Sequence, residues 1–181
     1  MQILREAPEF EIAKWLNTDT DLSLDQFRGK VVMAVAFQML CPGCVEISVP
    51  QAKHVHTAFS EKDIQVIGLH TVFEHHEAMQ EASLRAFLHE YRIYFPVGID
   101  APAEGSPIPL TMQLYQMQGT PTVLLIDRQG RLRKQQFGHT PDLLLGAELM
   151  ALIRENEDTS TYLHDSENKN ANVCEIKGDC E

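Results

Sequence analysis

At 181 residues, 44% of them apolar and 23% charged, the chain has the size and composition of one soluble globular domain with room for a short appendage. A formal net charge of −11 weighs against a nucleic-acid partner, because phosphate surfaces require a basic patch. The longest apolar stretch, Val31 to Leu40, is too short to span a bilayer, and no basic segment leads into an apolar core at the N-terminus; no membrane partner and a cytoplasmic location are expected.

Taken in order, Ala7 to Leu16 reads as a short edge strand with a proline-marked entry, and Trp15 as packing near the sheet edge. Leu22 to Phe27 suits a short helix capped by Ser23 and ended by Gly29. Lys30 to Phe37, rich in Val and Ala, suits a central strand covered on both faces. Glu46 to Phe59 reads as a helix kinked at Pro50, Asp63 to His70 as a second buried strand, and Ala78 to Tyr91 as a helix with Leu84, Phe87, Leu88 and Tyr91 on one face. Tyr94 to Ile99 follows as a strand, then a proline-rich loop, a helix over Leu110 to Met117, a hairpin of Thr122 to Ile126 with Arg131 to Phe137, and a closing helix over Leu143 to Ile153.

The order, approximately β-α-β-α-β-α-β-β-α, predicts an α/β fold with a central mixed sheet between helices, spanning residues 1–154. Residues 155–181 form an acidic tail. In open sheets of this kind the site lies at the carboxyl ends of the parallel strands. Cys41 follows one such end and His70 closes the next.

The chemistry centres on Cys41-Pro42-Gly43-Cys44. With Cys41 at a helix cap, Pro42 takes the first helical position, where its missing N–H costs nothing. The amides of Gly43 and Cys44 and the helix dipole then favour a thiolate on Cys41, which makes it the attacking nucleophile. Cys44, one turn along, resolves the mixed disulfide. Such a dithiol centre needs no cofactor; its partners are protein disulfides or small thiols and disulfides, with an electron donor that the sequence does not name. A zinc site is the competing use, but it needs two more donors, from Cys174, Cys180 or His70. Glu74-His75-His76-Glu77 reads as a solvated segment, because adjacent residues on a helix face different ways.

The segment GKVVMAVAFQMLCPGC, preceded by APEFEI and followed by GTPTVLLIDRQGRLR, resembles the thioredoxin-like superfamily over about residues 7–154. Within it the resemblance is to the redoxin branch, which includes the alkyl hydroperoxide reductase/thiol-specific antioxidant proteins and the cytochrome-maturation thioredoxins. It implies a thioredoxin-like fold, thiol–disulfide oxidoreductase activity and a place in redox homeostasis. It also implies a cis-proline facing the cysteines, here Pro121, with Thr120 before it pairing with substrate backbone. Four positions depart from the relatives. Leu40 replaces the Trp before the first cysteine, and Val35 the buried Asp that serves the second. Ala34 and Gln38 replace the Pro and Thr with which peroxiredoxins bind peroxide, so a thiol peroxidase with Cys41 as peroxidatic cysteine is the alternative reading. With Val35 in the acid's place, Glu46 and His70 are the candidates for a proton relay, against plainer roles as a solvated and a packed side chain.

The tail carries a second pair, Cys174 and Cys180, separated by a segment with a Gly that allows a small disulfide loop. As random coil, the linker before it reaches on the order of 20–25 Å. The pair is either a redox partner of Cys41 and Cys44, a metal- or partner-binding element, or two incidental thiols.

Overall fold

The computed structural model describes Ile3 and residues 5–155. In chain order the strands are β1 (Arg5–Glu6), β2 (Ile12–Leu16), β3 (Val31–Phe37), β4 (Ile64–His70), β5 (Val97–Asp100), β6 (Thr122–Ile126) and β7 (Arg131–Phe137). The helices are α1 (Val49–Ala58), α2 (Glu81–Glu90), α3 (Leu110–Leu114) and α4 (Asp142–Arg154), with a 3-10 turn at Leu24–Phe27 and a π-helical turn at Cys44–Ser48. One mixed seven-stranded sheet results, in the order β1-β7-β6-β3-β4-β5-β2. β3, β4 and β5 run parallel, and β2, β6 and β7 antiparallel to their neighbours.

β3 is the axis of the sheet. All seven of its residues are buried, and their alternation splits them between two cores. Val31, Met33, Val35 and Phe37 pack with Cys44 and with apolar residues of α1, α2 and α4. Val32, Ala34 and Ala36 face the other side, against the 3-10 turn, α3 and Phe10. Each large aliphatic side chain so buried contributes about 1.5–3 kcal/mol. The strand exit at Phe37, and the cysteines after it, are thereby anchored from both faces.

Several boundaries differ from the sequence expectations. The edge strand begins at Ile12 rather than Ala7, and Arg5–Glu6 adds a strand against β7 that the sequence did not suggest. Ser23 makes no side-chain cap; the Glu9 carboxylate accepts from Leu24 N at 2.8 and 3.0 Å instead. α2 starts at Glu81, after an extended Gln80. β5 starts at Val97, because Pro96 has no N–H to give a ladder and Tyr94 points to solvent. α3 stops at Leu114, where Gln116 turns to φ 52°.

The expected helix with a kink at Pro50 is also corrected. Helical backbone begins at Pro42, passes through the π turn and becomes α1 with Pro50 in its first turn. The physical reason is local. Pro50 cannot donate to Glu46 O and its ring would crowd that carbonyl, so the turn before it widens. Val49 N then donates to Cys44 O across the wider turn, and Ser48 Oγ donates to the same carbonyl at 3.3 Å. The proline is absorbed by a bulge at the active-site end of the helix.

Candidate active site

The loop leaving β3 is tied back to the sheet where Thr71 N donates to Phe37 O at 3.1 Å, and it tightens where Cys41 N donates to Gln38 O at 3.3 Å. Pro42 and Gly43 then open the helix. Cys44 N donates both to Cys41 O at 3.0 Å and to Cys41 Sγ at 3.3 Å. Of the two amides expected at the Cys41 sulfur, the Cys44 amide takes that place. Gly43 instead lies against the facing loop, where a Cβ on it would stand 3.6 Å from Pro121 Cδ.

That facing loop holds the Thr120–Pro121 peptide bond in the cis form. Cys41 Sγ donates to Thr120 O at 3.5 Å. Both sulfurs are free thiols, and their settings differ. Cys41 is half-buried, whereas Cys44 is 0% exposed inside the core under α1 and α4. Burial, together with the neighbouring Cys41 thiol, pushes the Cys44 thiol up to about 12, against the opposing pull of the Gln38 main-chain N–H and the Thr120 hydroxyl at its sulfur. One thiol is open to a partner and the other is held protonated behind it.

Cys41, Pro42, Gly43, Cys44, Thr120 and Pro121 thus form one cluster. The two relay candidates do not join it. Glu46 is exposed on the π turn and lines a groove with Ile47, His54, His139 and Leu143; among the described residues no hydrogen bond or ion pair links it to either sulfur. His70 is 1% exposed, with its ring against Phe37 at 5.5 Å between centroids. It lines a separate cleft with Val72, Met79, Ile99 and Pro109, and burial pushes its imidazole down to about 4. Among the described residues no three or more metal-ligating side chains come together. Cys174 and Cys180 lie outside the described residues.

Two residues at the site escaped the sequence reading. Gln38 was noted for the peroxide-binding Thr it replaces, yet it is buried against Thr120, with Nε2 3.4 Å from Thr120 Oγ1. Its signal was a long amide closing an uninterrupted apolar run. Phe137 is half-exposed at the end of β7, and a Cβ on Gly119 would meet its ring at 3.0 Å, so it borders the loop that carries Thr120 and Pro121. The predicted hairpin brings Phe137 opposite Thr122, but that its ring would border the Gly119 loop is a tertiary fact with no local sequence mark.

The Redoxin family profile matches residues 5–144. The chain belongs to the redoxin family. Among solved structures, a thioredoxin-like superfamily protein is 57% identical with a TM-score of 0.81, the match covering 83% of this chain and 97% of that one. A thiol-disulfide isomerase from Corynebacterium glutamicum is 48% identical with a TM-score of 0.79, over 82% of this chain and 96% of that one. A thiol:disulfide interchange protein, DsbE, from Chlorobium tepidum shares the fold at 22% identity and a TM-score of 0.68, over 84% of this chain and 99% of that one. Among curated proteins none matches. This redoxin therefore has the thioredoxin-like fold and belongs, at the level of the family, with the thiol–disulfide oxidoreductases.

Proposed function

We propose that this redoxin reduces or isomerises protein disulfides through Cys41 and Cys44. Cys41 attacks one sulfur of a substrate disulfide and releases the other as a thiolate. Cys44 then attacks Cys41 in the mixed disulfide, which frees the substrate thiol and leaves a Cys41–Cys44 disulfide for a thiol donor to reduce. The observation that carries this reading is the asymmetry of the pair. Cys41 is accessible and receives an amide at its sulfur, while Cys44 is wholly buried one turn away. The attacking thiol must meet a partner, and the resolving thiol must meet only the first. The Thr120 main chain, 3.5 Å from the nucleophile, lies where it can pair with an extended substrate segment. Exposed Leu40 and Phe137 add apolar surface beside it.

The direct test is turnover of insulin disulfides with dithiothreitol as donor. Wild type is expected to accelerate reduction and Cys41→Ser to abolish the acceleration. Full activity in Cys41→Ser would overturn the proposal.

A further inference from the structure

Gln38 is 1% exposed at the mouth of β3, and none of the thiol steps above uses its side chain. A buried amide costs free energy unless both ends are paired. Here one end is paired. Nε2 donates to Thr120 Oγ1 at 3.4 Å, while Oε1 has no hydrogen-bond partner among the described residues. An apolar side chain of the same length would avoid the unpaired oxygen. The donor end is therefore the part with a consequence, and that consequence runs through Thr120.

A threonine hydroxyl has one hydrogen and two lone pairs. With Gln38 Nε2–H filling a lone pair, the hydroxyl hydrogen is left to point away from Gln38; the Thr120 main chain stands 3.5 Å from Cys41 Sγ, and the Thr120 side chain is one of the groups that pull the Cys44 thiol down. The Gln38 main chain pulls the same thiol down. Val35, which faces the core that contains Cys44, brings no ionisable group there. Among the described residues the titratable group that acts on the Cys44 thiol is the Cys41 thiol, and in the mixed disulfide it is no longer a thiol.

Resting on the dithiol reading above, we infer that Gln38 is a positioning residue for substrate release: it orients the Thr120 hydroxyl as a donor to Cys44 Sγ and so supports that sulfur as it becomes the attacking thiolate. In this step a Cys44–Cys41 sulfur bond forms and the bond from Cys41 to the substrate sulfur breaks. The electron pair of the broken bond leaves on the substrate sulfur, which ends as a thiol with the proton that Cys44 gave up. Cys41 and Cys44 are oxidised together and the substrate is reduced, with no further reagent. Gln38 takes no proton; it sets the direction of a hydrogen bond.

The test is stopped-flow reaction of the reduced full-length protein with dithiobis(nitrobenzoate), in a background carrying Cys174→Ser and Cys180→Ser. Attack by Cys41 releases one coloured thiol, and attack by Cys44 on the mixed disulfide releases the second. In Gln38→Leu the first phase is expected within about twofold of wild type. The second is expected to slow about tenfold, the size of one hydrogen bond to a charged group, and to move to higher pH. Thr120→Val is expected to slow the second phase similarly and Thr120→Ser to restore it. In the Thr120→Val background, Gln38→Leu should add less than about twofold, because the two residues act as one unit. Gln38→Met, the same length without a donor, is measured beside Gln38→Leu and should match it; thermal melting confirms that both fold. An unchanged second phase in both Gln38 variants at every pH, or effects that multiply in the double variant, would overturn the inference. Absence of a second phase in the wild type would instead sink the dithiol reading, so the two failures are distinct.

Discussion

The Thr120 main-chain carbonyl accepts a hydrogen bond from Cys41 Sγ at 3.5 Å, across a separation of 79 residues in sequence. The side chain of the same residue is one of the groups that pull the Cys44 thiol down. Thr120 therefore bears on both thiols, and the two thiols are distinguished by what surrounds them. The accessible one is half-open to solvent. The buried one faces the core.

Keeping Cys44 protonated has a kinetic signature. With its thiol pushed up to about 12, the thiolate needed for release is scarce at neutral pH. The rate of the second phase should rise continuously with pH from neutral to well above the usual thiol range, without a plateau there. Single-turnover kinetics over that range measure it, and a plateau near the ordinary thiol value would contradict the buried setting. The sign for stability is the same. A raised folded-state value favours the native state fully below the unfolded thiol's titration and is lost as pH rises toward 12, so Cys44→Ala should lessen the alkaline loss of stability.

His70 acts on the acid side. Its imidazole is lowered to about 4 by burial, whereas in the unfolded chain it titrates near 6.5. Its contribution is complete above the unfolded value and is lost as pH falls from there toward 4. The expected loss is about 3 kcal/mol, read from urea midpoints at neutral pH and near pH 4. His70→Leu should flatten that part of the profile, and an unaltered profile would show that His70 is not held neutral.

Phe37, the last residue before the active-site loop, is gripped from β4. A Cβ on Gly68 would stand 3.0 Å from Val97 Cγ2, 3.2 Å from Phe37 Cε1 and 3.3 Å from Phe95 Cε2. All three side chains are almost fully buried and have little room to retreat. Gly68→Ala is therefore expected to cost about 1–3 kcal/mol, measured by chemical denaturation. A neutral result would mean that the strand exit is more pliable than its packing implies.

Leu40, immediately before Cys41, is 57% exposed, at the position where the resemblance to thioredoxins implies a Trp. If it forms part of the protein-docking surface, Leu40→Ala should raise KM for a protein disulfide about three- to tenfold, in proportion to the apolar area lost. Reaction with a small aromatic disulfide should change much less. Equal effects on both substrates would remove Leu40 from the docking surface.

How far the sequence carried this picture depended on whether the cause was local. β3 and β6 were legible because uninterrupted apolar runs are written in consecutive residues, and β7 because the turn-forming Asp127 to Gly130 precedes it; the structure places β6 and β7 at the expected bounds. The pairing of Cys41 with Cys44 was legible from helix periodicity. The π turn was not, because Pro50 signals trouble without saying whether the helix kinks or bulges. Ser23 looked like a cap by type, but Glu9, distant in sequence, reached the Leu24 amide first. His70 was expected near the chemistry from its strand-end position, yet its side chain fills a different cleft. Gln38 was the reverse case. Its place in the sequence suggested only a missing group, and its contact with Thr120 exists only once β6 lies beside β3.

The most direct measurement of the division of labour is capture of the mixed disulfide. Cys44→Ser protein, incubated with a disulfide-bonded peptide and analysed by mass spectrometry after proteolysis, should carry one peptide adduct, on Cys41, stable on the timescale in which wild type releases it. Cys41→Ser should leave Cys44 unmodified under the same conditions. Peptide attached to Cys44 while Cys41 is absent, or no lasting adduct on Cys41 while Cys44 is absent, would contradict the assignment of Cys41 as nucleophile and Cys44 as resolving thiol.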